Sequence, residues 1–404
     1  MQPRWWRRLG SARRKALLVT LISLCGWSLW NGLRDYPHPW GDLSKGKFTD
    51  HFSHMNAARV FPRMGIDIWR VPIASKYRQL TYEEMTEMPE DVQAGGSLSG
   101  GVFYVPGWPK TKPLAIGWSM KTRMYPPGDM LLVAPIALVY HYTSLSLKGA
   151  CRLLLGWFIV LAHAALFFFF LNIFESKDRG LDWLVAFLVY SHVMYWTLEG
   201  FYDAAVIVPL VICTRYLHRR RGLAAGVAYC AAAFFHFRAF FHAPWAVWAL
   251  GSMLRNRFWR SLRPRHAVAI GVALLCAAAS LAVFWLDWDS LRNVIANNPL
   301  RYPYTPHDKA LAWSFKVVVA VCALAFIASR AWLDLLSVAW LALVAVKLRE
   351  FYYWHMLIST AWIAAPARRP LVRAVRLAFI LTLLAILFRD PLAPDWLWML
   401  RKGA

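Results

Sequence analysis

The chain has 404 residues, 59% of them apolar and only 17% charged, with 46 Lys and Arg against 22 Asp and Glu for a formal net charge of +24. A soluble domain is about 45–50% apolar and about 25% charged, so both departures point to a chain whose main solvent is lipid. Nucleic-acid binders share the basic balance but not the apolarity, and no nucleic-acid partner is needed to explain the charge.

Residues 1–15 read as a basic cytoplasmic N-terminus, with Arg4, Arg7, Arg8, Arg13, Arg14 and Lys15 and no acid. Residues 16–33 are uncharged and long enough for a bilayer, which needs about 17–25 residues. No small-x-small cleavage site follows before Arg34, so this run is expected to be a retained signal anchor rather than a cleaved signal peptide. The positive-inside rule then places Arg34 outside.

Residues 34–149 are expected to form a long extracytoplasmic loop carrying juxtamembrane helices. Its Gly/Ser segment Gly95 to Gly101 predicts local flexibility. The apolar stretch within Pro126 to Tyr142, about 13 residues, is too short to span and reads as interfacial or re-entrant. Residues 150–388 read as a multi-helix transmembrane region, followed by a C-terminal tail at 389–404. Crossings are predicted at Leu153 to Phe174, Trp183 to Leu198, Ala204 to Leu217, Leu223 to Phe235, Phe240 to Leu254 and Ala267 to Leu286. Four more follow at Val317 to Ser329, Leu335 to Val346, Tyr352 to Ala367 and Leu377 to Phe388. With the anchor this is an all-α polytopic membrane protein of about 11 transmembrane helices.

The basic clusters support that parity. Arg219 to Arg221, the set Arg255, Arg257, Arg260, Arg263 and Arg265, and the set Arg368, Arg369 and Arg373 all fall on the predicted cytoplasmic side. The 23 Trp and 16 Tyr suit interfacial aromatic belts. The six cysteines sit in or beside apolar stretches with no CxxC pair, and read as small buried hydrophobes.

Four groups on the predicted outer side can carry chemistry. Asp50, His51 and His54 cluster just beyond the first helix. Asp50 can cap the amphipathic run that follows, take a proton from an acceptor hydroxyl, or hold a divalent cation with His51 or His54. Asp203 stands before the crossing that begins at Ala204 and can cap it. Arg238, with His236 and His242 beside it, interrupts an apolar stretch; such a guanidinium either snorkels to the interface or grips a phosphate with its planar fork. Arg349 and His355 flank an aromatic cluster with Glu350 between them, either an interfacial belt or further phosphate contacts. The loop from Asp287 to Asp308 is expected to be a lid or acceptor-side loop.

The string from Phe48 to Trp69, FTDHFSHMNAARVFPRMGIDIW, resembles the first extracytoplasmic loop of GT-C glycosyltransferases, closest to the GPI mannosyltransferase I type and the bacterial polyprenyl-phosphate-mannose enzymes. Four motifs in family order extend the resemblance to roughly Pro366. They are Tyr125-Pro126-Pro127, the Glu199 to Ala205 turn, the block from Arg220 to Pro244 with Arg238 where the family has lysine, and Glu350 to His355.

The resemblance implies a GT-C-like bundle with a long first loop and an inverting hexosyltransferase, with mannose as the model sugar. It makes Asp50 the catalytic base, Asp203 the second acid, and Arg238, Arg349 and His355 the donor phosphate contacts. The implied partners are a polyprenyl-phosphate sugar donor and a lipid, glycan or protein acceptor, among membrane lipids. Where relatives carry a second acid this chain has His51 and His54, so Mg²⁺ or Mn²⁺ there remains an open alternative and no cofactor is fixed. The expected location is the bacterial inner membrane with an extracytoplasmic site. The competing class is a transporter or flippase of a lipid-linked or anionic substrate, opposed by the large asymmetric loop and the lack of an internal repeat.

Overall fold

A backbone that meets little water must satisfy its own hydrogen bonds, and the helix does so within one segment. In the structure, a computed structural model, the described residues are 9–33, 78–79, 102–104, 114–115, 127–145, 147–175, 204–235, 242–255, 263–286, 306–345 and 369–389. Positions 183, 190–191, 193–194, 197 and 239 are described singly or in pairs. Among these residues helix dominates.

The anchor run forms α1 (Ser11–Leu33). After a long connector come α2 (Pro127–Tyr142) and α3 (Leu147–Glu175). Next are α4 (Ala204–His218), α5 (Gly222–Phe235), α6 (Ala243–Arg255) and α7 (Pro264–Leu286). The last three are α8 (Pro306–Ala328), α9 (Trp332–Ala345) and α10 (Pro370–Arg389). Two helices, Ser11–Leu33 and Arg152–Glu175, are long and apolar enough to cross a bilayer, by length and composition. The described parts of the other expected crossings form shorter apolar helices, such as Ile207–His218, Gly222–Phe235 and Lys316–Ala328. The expected crossing from Tyr352 to Ala367 lies outside the described residues, and that from Trp183 to Leu198 is described only in part, at helical positions.

Two features were not expected. The connector expected to carry juxtamembrane helices also holds a small antiparallel sheet, with β1 (Arg78–Gln79), β2 (Val102–Tyr104) and β3 (Leu114–Ala115) in that order. Phe103 pairs with both Gln79 and Leu114, and the β-branched and aromatic side chains of β2 favour the extended form. The crossing expected from Val317 belongs to a longer helix, because α8 already begins at Pro306, within two residues of the end of the expected acceptor-side loop. Proline is at home in the first turn of a helix, where its missing N–H has no intrahelical acceptor. The polar residues that follow it therefore continue the helix rather than the loop.

Helix directions follow from side-chain contacts. The Ser23 hydroxyl meets His163, and Asn31 Nδ2 donates to the Arg152 carbonyl at 3.2 Å, so α1 runs antiparallel to α3. The Trp157 indole donates to the Leu132 carbonyl at 3.0 Å, which lays α2 back along the first half of α3. At about 24 Å, α2 is too short to cross the ~30 Å apolar core of a bilayer. Glu175 at the end of α3 pairs with Arg215 near the end of α4, so those two helices run parallel.

The helix α5 is central and touches α4, α6, α7 and α2. Small side chains permit that close approach: a Cβ at Gly222 would come within 2.7 Å of the Ala249 carbonyl oxygen of α6. Another at Gly128 would come within 2.4 Å of the Phe234 carbonyl oxygen. The start of α2 is thereby locked against the end of α5. The main core joins α1, α3, α4, α5, α6, α8, α9 and α10 around Phe158's neighbour Ile159, Phe170, Trp245, Phe326 and Phe379. A smaller core of Leu132, Val133, Tyr140, Leu154 and Phe158 joins α2 to α3. Apolar side chains remain exposed along α7 and α8, including Val268, Leu275, Trp285, Val317 and Leu324.

Candidate functional site

These directions sort the helix termini into two ends. One end carries the start of α1, the ends of α3, α4 and α6 and the starts of α5 and α7, with Arg13, Arg14, Lys15, Arg219, Arg220, Arg221 and Arg255. At the opposite end stand the close of α1, the starts of α3, α4 and α6 and the close of α5.

The candidate residues attach to these termini through the chain. Asp203 directly precedes α4, whose first residue is Ala204 as expected. Arg238 falls between the end of α5 and the start of α6. Asp50, His51 and His54 follow the close of α1, and Arg349 and His355 follow the end of α9. All seven lie outside the described residues. So do His236 and the Gly95 to Gly101 segment.

His242, the described neighbour of Arg238, is buried and stacks on Trp245 with ring centroids 3.8 Å apart. Trp245 is itself buried and donates from its indole nitrogen to the Ser337 hydroxyl at 2.7 Å. The Ser337 hydroxyl in turn donates to the Leu333 carbonyl at 2.8 Å. The segment that leads from Arg238 into α6 is thus anchored through His242 and Trp245 to α9. Among the described residues no group of three or more His, Cys, Asp or Glu could hold a metal ion.

No family model, no curated protein and no solved structure matches the chain.

Sequence reasoning missed three polar clusters that the packing brings together. The first lies between α1, α3 and the helical segment around Tyr190. His163 Nδ1 is 2.7 Å from the Ile159 carbonyl, and a carbonyl can only accept, so Nδ1 carries the proton. In the neutral ring Nε2 then accepts from the Ser23 hydroxyl at 2.8 Å. The Ser23 oxygen accepts from the Tyr190 hydroxyl at 2.6 Å, and the Tyr190 oxygen accepts from the Trp27 indole N–H at 2.5 Å. Every donor is used once, in one direction. A satisfied network of this kind rigidifies the contact it bridges, and here it fastens the anchor helix to the bundle.

The second cluster is ionic. Arg215 Nη2 bonds both carboxylate oxygens of Glu175 at 2.8 Å, and its Nη1 donates to Asn172 Oδ1. Arg219 Nη2 adds a third donor to Glu175 at 2.9 Å. In the third cluster, Arg376 engages Asp334 through Nε at 2.7 Å and Nη2 at 2.6 Å. Each ionic cluster braces a turn. Arg220 and Arg330 have φ of 58° and 51°, and the flanking hydrogen bonds are those of a Schellman cap. Arg220 N donates to Leu217 O and Arg221 N to Tyr216 O; Arg330 N donates to Ile327 O and Ala331 N to Phe326 O.

The signal that could have exposed these clusters was present. His163 and Arg215 are ionisable residues inside otherwise apolar predicted crossings, where such groups seek partners. Which partner each would find depends on tertiary packing alone.

Proposed function

We propose that the chain is an integral-membrane glycosyltransferase of the GT-C type, acting outside the bacterial inner membrane on a polyprenyl-phosphate-linked hexose such as mannose. The basic end of the bundle is then cytoplasmic, in keeping with the positive-inside rule. The exposed apolar side chains of α1, α7 and α8 are those that lipid would cover. About 11 crossings complete the bundle.

The observation that carries this reading is the gathering of helix termini at the end opposite the arginine turns. The start of α4, which Asp203 precedes, stands at the same end as the α5–α6 connection that contains Arg238. The close of α1, which leads towards Asp50, belongs to that end too. These termini support a reading in which a base, a second acid and a phosphate-binding cation are carried by chain segments that adjoin one end of the bundle.

Asp50 takes the proton of the acceptor hydroxyl as its oxygen attacks the anomeric carbon. The bond from that carbon to the donor phosphate breaks, and the polyprenyl phosphate leaves with the electron pair. Arg238, Arg349 and His355 stabilise the charge that develops on the departing phosphate, and Asp203 orients the acceptor or the base. His51 and His54 flank Asp50, and a divalent cation there would polarise the donor phosphate.

The test is to give membranes containing the chain a radiolabelled polyprenyl-phosphate mannose and to follow label into lipid, glycan and protein fractions. Chain-dependent label in a new covalent product supports transfer. Label that crosses sealed vesicles while staying on its original lipid would show a flippase instead.

A further inference from the structure

At the basic end a groove of about 860 Å³ opens between α4, α5 and α7. Its length is apolar, walled by Pro209 and Ile212 of α4, floored by Val227 and Ala231 of α5 and closed by Ala269 of α7. Its mouth is basic. Arg220 and Arg221 stand exposed at the α4–α5 turn, and half-buried His266 faces them from the first turn of α7. Among the described residues no acid lines the groove. The nearby carboxylate of Glu175 engages Arg215 and Arg219, which are not part of the lining.

An apolar channel with two guanidiniums and an imidazole at one mouth matches a single kind of molecule, with a long hydrocarbon tail and an anionic head. We propose that this groove binds an anionic phospholipid of the cytoplasmic leaflet. The phosphate sits between Arg220, Arg221 and His266, and one acyl chain lies along α5 between Pro209 and Ala269. The forked geometry of arginine suits a phosphate diester, and a basic residue near an anionic leaflet is attracted to it. The volume falls within the range of small-molecule sites, about 300–1,000 Å³. The groove lies at the end opposite the one assigned to sugar transfer, so its lipid is separate from the donor. The proposal rests on the membrane reading above.

The test uses the full chain in three steps. Alkaline carbonate extraction of membranes comes first; release of the chain would overturn the membrane reading and this proposal with it. The detergent-purified chain is then titrated with phosphatidylglycerol and with phosphatidylcholine, and bound lipid is counted by native mass spectrometry. One phosphatidylglycerol should be retained at least about tenfold more tightly than phosphatidylcholine, and Arg220→Ala/Arg221→Ala should remove that preference.

Ala231→Trp, which fills the groove without touching the mouth, should weaken phosphatidylglycerol binding by about tenfold, with its unfolding temperature as the check on folding. Millimolar inorganic phosphate should not displace the lipid, because the tail contributes to binding. Equal binding of the two lipids by a membrane-retained chain overturns the proposal. So does unchanged binding in the double variant, or complete displacement by phosphate.

Discussion

At Arg220 and at Arg330 the chain makes the same left-handed turn between two helices, with the same pair of capping hydrogen bonds and the same residue type at the strained position. Their surroundings differ. The second turn is closed over by α10: Arg369 donates to the Ser329 carbonyl, and Arg376 and Asp334 form an ion pair with only 3% and 8% of their side chains exposed. The first turn is braced from one side, by Arg215 at 6% exposure and Glu175 at 34%, while its other side forms the mouth of a groove. One backbone device thus serves two purposes. At the second turn Arg376 is absorbed into packing while Arg330 stays exposed; at the first, Arg219, Arg220 and Arg221 are all exposed and two of them line the groove.

The comparison can be broken at several points. The largest effect is expected at the closed turn. Asp334→Ala leaves the Arg376 guanidinium buried without its carboxylate, which costs about 3–5 kcal/mol, and thermal unfolding in detergent should show most of the stability of the α8–α10 unit gone. Replacing both partners, Asp334→Leu with Arg376→Met, should recover most of that loss. If the single and double variants unfold alike, the pair is not what closes the second turn.

Glu175→Gln should cost less, about 1–3 kcal/mol, because water reaches this carboxylate and Asn172 still accepts from Arg215. A loss at Glu175 as large as that at Asp334 would erase the distinction between the two turns. The same unfolding measurement checks both.

The smallest expected changes are the most discriminating. A left-handed backbone costs an L-residue about 1–2 kcal/mol, and glycine is the natural occupant of this capping position. Arg220→Gly and Arg330→Gly should each raise stability by up to about 1 kcal/mol. Only Arg220→Gly should also weaken phosphatidylglycerol retention. Equal lipid binding in the two variants would mean that the turns are functionally interchangeable.

Much of the helical framework was legible from hydropathy. The expected helix starts at Ala204, at Leu223 against Gly222, and at Leu335 against Trp332 are met within a few residues, because each follows a basic or polar break in an apolar run. The short stretch after Tyr125 is a helix too brief to span, as its length implied. The start of α8 was misplaced, because the polarity of residues 306 to 316 reads as loop although Pro306 and Trp313 sit comfortably in a helix. The strands at 78–79, 102–104 and 114–115 were missed, since pairs of two or three residues carry no period to read.

Polar partnerships were illegible for a different reason. Ser23 and His163 are 140 residues apart, and Trp27 and Tyr190 are 163 apart, so no spacing rule connects them. The candidate chemistry was read from residue types at the ends of predicted crossings. Of that group the described residues include His242, held by Trp245, and the helix termini that bracket Asp203 and Arg238. The other candidates lie outside the described residues, and it is the periodicity of helices that sequence reveals most directly.

The central claim is that Asp50 is the base of a sugar transfer carried out opposite the arginine turns. Purified wild-type and Asp50→Asn chains, reconstituted with labelled polyprenyl-phosphate mannose and an acceptor fraction shown to take up label, test it directly. The variant should unfold at the wild-type temperature yet form product about 10²–10⁴-fold more slowly, the contribution expected of a positioned general base. Transfer by Asp50→Asn at the wild-type rate would contradict the account.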